Sequence, residues 1–292
     1  VMDVFWLLVR GFLLKEKLFN LNITVMKTNF EKSDSKNKLF GVAQWCPYST
    51  NISNGCPNKC KYCFSAANLI KFKMKTVENW GVEEIRMKEV NKSRAKLDGR
   101  CMFPSTHDIT ESNLKYCLIT LKNLLSAGND VLIVSKPKLK VVRALCKELE
   151  PYKKQILFRF TIGSYKQAVL SYWEPNAPSF KQRFNSLKYA FENGFETSIS
   201  CEPCLSPDIR PLITMLLPYV TDTIWIGKPN LFVQRLSING YKDAETVAKA
   251  RKLLSELSDE WSYSLYQDYK RNRKIMWKES MMKVLGLMPQ SK

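Results

Sequence analysis

A chain of 292 residues with 45% apolar content can bury one sizeable core, and 46 Lys and Arg against 27 Asp and Glu leave a formal net charge of +19. Nine cysteines spread over this length exclude a small disulfide scaffold and fit a reducing compartment, the cytoplasm. The charge points to a polyanionic partner, nucleic acid first. The competing origin is a Lys-, Asn- and Ile-rich proteome, and composition does not separate the two.

The chain begins at Val1, and the apolar runs over 4–9 and 12–14 are broken by Arg10-Gly11. They are too short and interrupted for a membrane span, and no small-residue cleavage site follows them. We read Met26 as the natural start, 1–25 as an over-extended reading frame, and 1–38 as a flexible or non-native lead. Residues 39–46 read as a first strand, 65–98 as a helix closed by an Asp98-Gly99 turn, and 100–104 as a second strand. A helix is expected over 110–127, stopped by Gly128-Asn129. The β-branched run 131–135 is a buried parallel strand, followed by a helix over 140–149. Strands over 156–162, 197–203 and 223–227 then alternate with helices over 179–192 and 207–217, and helices over 243–257 and 261–284 end the chain. Such alternation predicts an α/β fold, a partial parallel (β/α)6 barrel over 39–242 with a C-terminal helical extension over 243–292. In that architecture the chemistry sits on loops at the carboxyl ends of the strands.

One of those loops is Cys56-Pro57-Asn58-Lys59-Cys60-Lys61-Tyr62-Cys63, entered through Asn54-Gly55. Three thiolates at C-x₃-C-x₂-C spacing can reach one small inorganic centre. Three ligands to a [4Fe-4S] cluster leave one iron open for substrate or cofactor, whereas clusters that only carry electrons are normally held by four cysteines. The alternative is a zinc loop or three unrelated buried cysteines. Zinc normally takes a fourth Cys or His nearby, but the only histidine is His107 and the next cysteine downstream is Cys101.

The cysteine spacing, with Tyr62 just before the third cysteine, resembles the signature of the radical S-adenosylmethionine (radical SAM) enzymes. Four later blocks narrow the likeness: 103–110 (FPSTHDIT), 131–137 (VLIVSKP), 173–179 (WEPNAPS) with Arg183, and 198–203 (SISCEP). In that order they resemble the branch containing spore photoproduct lyase, also described as DNA repair photolyase-like, over about 40–230. The resemblance implies that Cys56, Cys60 and Cys63 hold a [4Fe-4S] cluster whose open iron binds SAM. Reductive cleavage then gives a 5′-deoxyadenosyl radical, which abstracts hydrogen from a substrate. It also implies an electron donor of flavodoxin or ferredoxin type. The expected substrate is a nucleic-acid base or nucleotide in DNA or RNA. A small molecule or peptide is the competing enzyme reading, and an iron–sulfur or zinc nucleic-acid-binding module the non-enzyme one.

Charge assigns the remaining expectations. Lys136, at a strand end, suits the methionine carboxylate of SAM; its bland counterpart is an exposed lysine. Ser105, Thr106 and Asp108 suit the ammonium or ribose hydroxyls, against helix capping by Asp108 or Thr110. Tyr62 resembles the family aromatic beside adenine, and Ser164 a family SAM contact. Arg159 is a candidate cofactor contact, or the partner of Glu202 in a structural pair, and Glu202 otherwise a proton or substrate contact. The turn 174–179 reads as structural, with Arg183 fixing Glu174 and Ser179 as an N-cap. Spore photoproduct lyases return hydrogen from a cysteine near the second strand, and that position here is Ser105. Cys101, Cys201 and Cys204 are the candidate replacements, against a role as buried core thiols. The basic run 270–274 with Tyr263, Tyr266, Tyr269 and Trp277 is either a nucleic-acid contact or an amphipathic helix closing the barrel.

Overall fold

Short runs of β-branched and aromatic residues, each flanked by a helix-forming stretch, fold into parallel strands joined by crossover helices. The computed structural model describes residues 41–288; the Met26 start and the lead over 1–38 lie outside them. The strands are β1 (Tyr48–Ser49), β2 (Ser53–Asn54), β3 (Glu84–Ile85), β4 (Cys101–Phe103), β5 (Val131–Ser135), β6 (Ile156–Thr161), β7 (Glu196–Cys201), β8 (Ile224–Ile226) and β9 (Ile275–Trp277). Seven of them form one sheet in the order β1-β4-β5-β6-β7-β8-β9, with every neighbouring pair parallel. β2 and β3 pair antiparallel apart from it.

The helices are α1 (Phe64–Lys71), α2 (Met87–Val90), α3 (Leu114–Ser126), α4 (Leu139–Glu148), α5 (Gln167–Trp173), α6 (Phe180–Glu192), α7 (Arg210–Leu216), α8 (Phe232–Ile238), α9 (Ala244–Glu256), α10 (Asp259–Tyr269) and α11 (Glu279–Val284). No helix among the described residues is long and apolar enough to cross a membrane. Side chains of a strand alternate between faces. On β6, Phe158 and Phe160 enter the main core with the helices, and Leu157 joins Cys46, Met102 and Leu132 on the other face. Every residue of β6 is buried, as expected for a central parallel strand.

Several expectations change. Over 39–46 the described part, Gly41–Gln44, is a 3-10 turn, and the first strand is β1, a few residues on. The sheet has seven strands, and the seventh lies beyond residue 243. The helix expected over 261–284 is two helices with β9 between them. Asn272 Oδ1 accepts the Lys274 N–H (3.0 Å), and Ile224 N–H donates to Lys274 O (2.7 Å), so the basic run 270–274 is the turn that delivers β9 to the sheet edge. The helix expected from residue 110 starts at Leu114, because Thr110 and Asn113 exchange backbone-to-side-chain bonds ahead of it. The region 65–98 holds α1, β3 and α2, not a single helix. Helices α5 and α8 are additions. Ser179 caps α6 as expected, accepting the Gln182 N–H at 3.3 Å.

Phe158 is fully buried between Phe160 (5.4 Å between ring centroids) and Phe195 (5.3 Å). Phe158→Ala should therefore destabilise the protein by about 3–5 kcal/mol. Ile119→Ala, at a position 42% exposed, should change stability by less than about 0.5 kcal/mol in the same urea titrations.

Candidate cluster-binding site

The cysteine loop is held by its neighbours at almost every residue. Gly55 enters it at φ +101°, and a Cβ there would stand 2.1 Å from Val82 O, so only glycine fits. Cys56 N–H donates to Trp80 O (3.1 Å). Asn176 Nδ2 donates to Pro57 O (3.0 Å), and Lys61 N–H donates to Trp173 O (2.9 Å). From the other side Asn239 Nδ2, just past α8, donates to both Lys61 O (2.9 Å) and Cys63 O (3.0 Å). Cys63 is the N-cap of α1, its sulfur accepting the Ala66 N–H at 3.5 Å.

Cys56 and Cys63 pack together with Ala66 and Trp80, and Cys63 also borders the core that contains Cys60. Burial raises all three thiols. Cys56 stands well above its ordinary value, with Asp108 and the other two sulfurs adding to the effect. Cys60 is pushed up to about 12 by burial, against the opposing pull of Lys136. Cys63 is raised by burial, which its helix-terminal N–H contacts only partly offset. Burial favours the thiol form at all three, as it does at the core cysteines Cys117 and Cys201. Among the described residues no three Cys, His, Asp or Glu side chains converge as a single ion would need. The ligands of a four-iron cluster stand on separate irons and need no common point.

Behind the loop lies a charged network whose centre, Glu174 and Arg183, is wholly out of water and whose edge, Lys136, is partly exposed. Glu174 closes α5 with its side chain fully buried. It accepts the Tyr62 hydroxyl proton and a guanidinium N–H of Arg183, itself fully buried. Lys136 Nζ stands 3.8 Å from the same carboxylate and 5.9 Å from the Tyr62 ring centroid. Arg183 also donates to Thr161 O (3.1 Å) and Pro178 O (2.7 Å). Burial works to raise Glu174, but Arg183 and then Lys136 outweigh it and hold the carboxyl below its usual range. Burial likewise works to lower Lys136, and Cys60, Glu174 and Asp108 together keep it above its ordinary value. The expected Arg183–Glu174 contact is present; its reach to Tyr62 and Lys136 is not foreseen from the sequence.

Asp108 ties the loop to the sheet. Its carboxylate accepts from Asn58 Nδ2 (2.7 Å), Ser135 Oγ, Ile109 N (2.8 Å) and Lys136 N (3.0 Å). These bonds fill the acceptor sites of a carboxylate, so Asp108 positions Asn58 and Lys136 and offers nothing further to a ligand. Ser105 and Thr106, both half-buried, present their backbone N–H groups to Asn51 Oδ1 (2.7 and 2.8 Å), and Ser105 Oγ accepts from Asn51 Nδ2 (2.8 Å). Ser164 is buried and accepts the Lys166 N–H at 3.1 Å. His107 Nε2 accepts the Ile52 N–H (3.1 Å), and its Nδ1 lies 3.0 Å from Asp108 O, which fixes a neutral ring protonated at Nδ1.

The remaining candidates lie elsewhere. Arg159 pairs with Asp222 (3.2 Å), donates to Ser198 Oγ (2.9 Å) and lies over the rings of Trp45 and Trp225. Glu202 pairs with the buried Lys278 (3.4 Å). The expected Arg159–Glu202 pair is absent. In register, Arg159 faces Ser198, and Glu202 is four residues further, roughly 13 Å along the strand. Cys101, Cys201 and Cys204 are at most 1% exposed and belong to the main helix-side core. Asn51, Asn58, Trp80 and Asn239 carry no motif and escape a sequence reading. A concavity of about 520 Å³ lined by Arg143, Tyr189 and Phe195 shares no residue with the loop.

No protein-family model matches this chain, and no curated protein sequence matches it. Its fold does match solved structures. A point mutant of spore photoproduct lyase superposes with a TM-score of 0.52 at 13% identity, over 85% of this chain and 78% of that one. Spore photoproduct lyase complexed with dinucleoside spore photoproduct gives 0.51 at 14% identity over the same shares. A further mutant carrying that dinucleoside gives 0.51 at 14%, over 74% of this chain and 64% of that one. The chain has the fold of spore photoproduct lyase, in agreement with the family resemblance carried by its motifs.

Two outcomes follow from the buried network and from His107. Arg183→Met should destabilise the protein by about 3–5 kcal/mol, because Glu174 loses its closest counter-charge out of water and keeps only the longer contact with Lys136. Arg183→Met with Glu174→Leu should lose clearly less than the sum of the two single changes in a double-mutant cycle. Burial pushes His107 down to about 4 from an ordinary 6.5. Between those values the unfolded chain binds a proton that the folded chain refuses, so stability falls as pH falls through this window, by about 3 kcal/mol over its width. Urea unfolding at about pH 7 and about pH 4.5 measures the fall, and His107→Gln should flatten it.

Proposed function

We propose that this protein is a radical SAM enzyme in which Cys56, Cys60 and Cys63 bind a [4Fe-4S] cluster. The observation that carries the reading is a three-thiol loop pinned beside a buried cationic network, in a chain with the fold of spore photoproduct lyase. Held by these three cysteines, supplied with SAM and reduced by one electron from a flavodoxin- or ferredoxin-type donor, such a cluster would supply 5′-deoxyadenosyl radical chemistry for hydrogen abstraction from a bound substrate.

The chain's own residues prepare that site. Tyr62, anchored through its hydroxyl to Glu174, keeps the segment between Cys60 and Cys63 in one conformation. Lys136, partly exposed and held above its ordinary value by its anionic neighbours, is the cation offered to the methionine carboxylate; Glu174 sets its position from behind. Ser105 and Thr106 are half-buried just past the carboxyl end of β4, with their backbone fixed by Asn51, and are assigned to the ribose hydroxyls or the ammonium of SAM. Asp108, Ser164 and Arg159 are assigned to positioning and folding. Glu202, salt-bridged to Lys278, is kept as a substrate-side contact.

For the substrate we propose a nucleic-acid base or nucleotide. The net charge of +19 supports this, as does the dinucleoside photoproduct complexed with a lyase of the same fold. Lesion reversal of the spore type is not part of the reading. Ser105 stands at the expected hydrogen-donor position, and the thiols of Cys101, Cys201 and Cys204 are packed in the helix-side core.

Anaerobic reconstitution followed by dithionite and SAM should release 5′-deoxyadenosine and methionine. Cys56→Ser, Cys60→Ser or Cys63→Ser should each abolish the release, and an intact cluster with no SAM cleavage would favour a binding module. Lys136→Met should weaken SAM binding about 10- to 100-fold, the loss of one charge-assisted bond. Binding of short DNA or RNA should fall steeply with salt; no binding at low salt removes the nucleic-acid substrate.

A further inference from the structure

Two neighbours of the cysteine loop carry a buried polar atom with no partner among the described residues, the acceptor Asn239 Oδ1 and the donor Trp80 Nε1, and of these only the indole can donate to a sulfur. Trp80 is 5% exposed and packs with Cys56 and Ala66, with Cys63 and Leu69 at the edge of the same cluster. Its carbonyl accepts the Cys56 N–H (3.1 Å), and its own N–H donates to Thr76 O (3.0 Å), so its backbone is fixed against the loop. Its indole Nε1 is buried and has no hydrogen-bond partner among the described residues. An unsatisfied buried N–H costs about 1–3 kcal/mol. The apolar side chains packed with the indole are Cys56, Ala66, Cys63, Leu69 and Ile70, of which only the two cysteines carry a hydrogen-bond acceptor. The chemistry that suits this donor is sulfur, and Cys56 and Cys63 share its cluster.

We propose that the Trp80 indole N–H donates a hydrogen bond to a sulfur of the cluster held by Cys56, Cys60 and Cys63, and so sets its reduction potential. The proposal rests on the cluster reading above. Hydrogen bonds to cluster sulfurs are among the terms that fix such potentials. A one-electron reduction adds negative charge to the sulfurs, so a donor stabilises the reduced state and raises the potential. The ring also seals the Cys56 side of the loop, but that is a packing role which phenylalanine keeps.

The test is a redox titration of reconstituted wild type and Trp80→Phe, followed by cluster absorption and by electron paramagnetic resonance of the reduced state. Trp80→Phe should keep its cluster while the equilibrium constant for reduction falls about tenfold, which is about 59 mV for one electron. Trp45→Phe also removes a buried, unpartnered indole N–H, but one that lies against Trp225 and not in the Cys56 cluster, and should leave the potential unchanged. In wild-type protein labelled with ¹⁵N-tryptophan, the reduced cluster should show a nitrogen coupling that Trp80→Phe lacks; this readout on the wild type stands even where the variant folds poorly. An unchanged potential in Trp80→Phe, or no nitrogen coupling in the wild type, overturns the proposal and leaves the cluster reading intact. Failure of the wild type to assemble any four-iron cluster overturns both.

Discussion

The ion pair of Glu174 and Arg183 is the constraint on which the site depends, because neither side chain has any contact with water. Stripping both charges of solvent carries a penalty of several kcal/mol per ion, and only close, fully hydrogen-bonded geometry offsets it. Arg183 meets that requirement with bonds to Glu174, Thr161 O and Pro178 O, and Glu174 with bonds from Arg183 and Tyr62 and the nearby Lys136 ammonium. An arrangement that stabilises only when complete is also a positional device. The end of α5, the start of α6 and the middle of the cysteine loop have to meet in one geometry or leave a charge exposed to a dry interior.

That device also fixes the loop from outside. Its polypeptide makes few bonds to itself, and the order comes from outside. The turn after α5 grips Pro57 and Lys61, the residue after α8 grips Lys61 and Cys63, and Asp108 grips Asn58 while tethering Lys136. The grips come from three separate crossover connections at one end of the parallel sheet. A site assembled from several such connections is what this architecture offers, since each strand delivers its own loop to the same edge.

The sequence foretells the parts of this arrangement that have a period or a punctuation mark. The run over 131–135 emerges as β5 at the expected residues, and Ser179 caps α6, because a β-branched stretch and a Ser before a helix are strong local signals. Glu174 and Arg183 are legible as a pair from their chain separation, but not as the anchor of Tyr62, since nothing in a linear pattern reports that burial is complete. Ile275–Trp277 is too short for a period of two to outweigh the aromatic, helix-like spacing around it, and so β9 is hidden inside an apparent helix. Asn51, Asn58 and Asn239 are invisible for another reason. In a chain rich in asparagine, a side-chain amide that bonds a loop carbonyl looks like any surface amide.

The cysteines divide along the same line between local pattern and tertiary burial. Cys56, Cys60 and Cys63 announce themselves by spacing. Cys101 and Cys201 look equally poised at strand ends, yet strand parity turns them toward the helices, while Met102 faces the opposite side of the sheet. The face that Met102 shares with Leu132, Leu157 and the Arg159 guanidinium is lined by Trp45 and Trp225, with the Lys278–Glu202 pair near its rim. Strand parity therefore separates an apolar helix-side face, which takes Cys101 and Cys201, from a face on which Arg159 and Lys278 lie against the rings of Trp45 and Trp225.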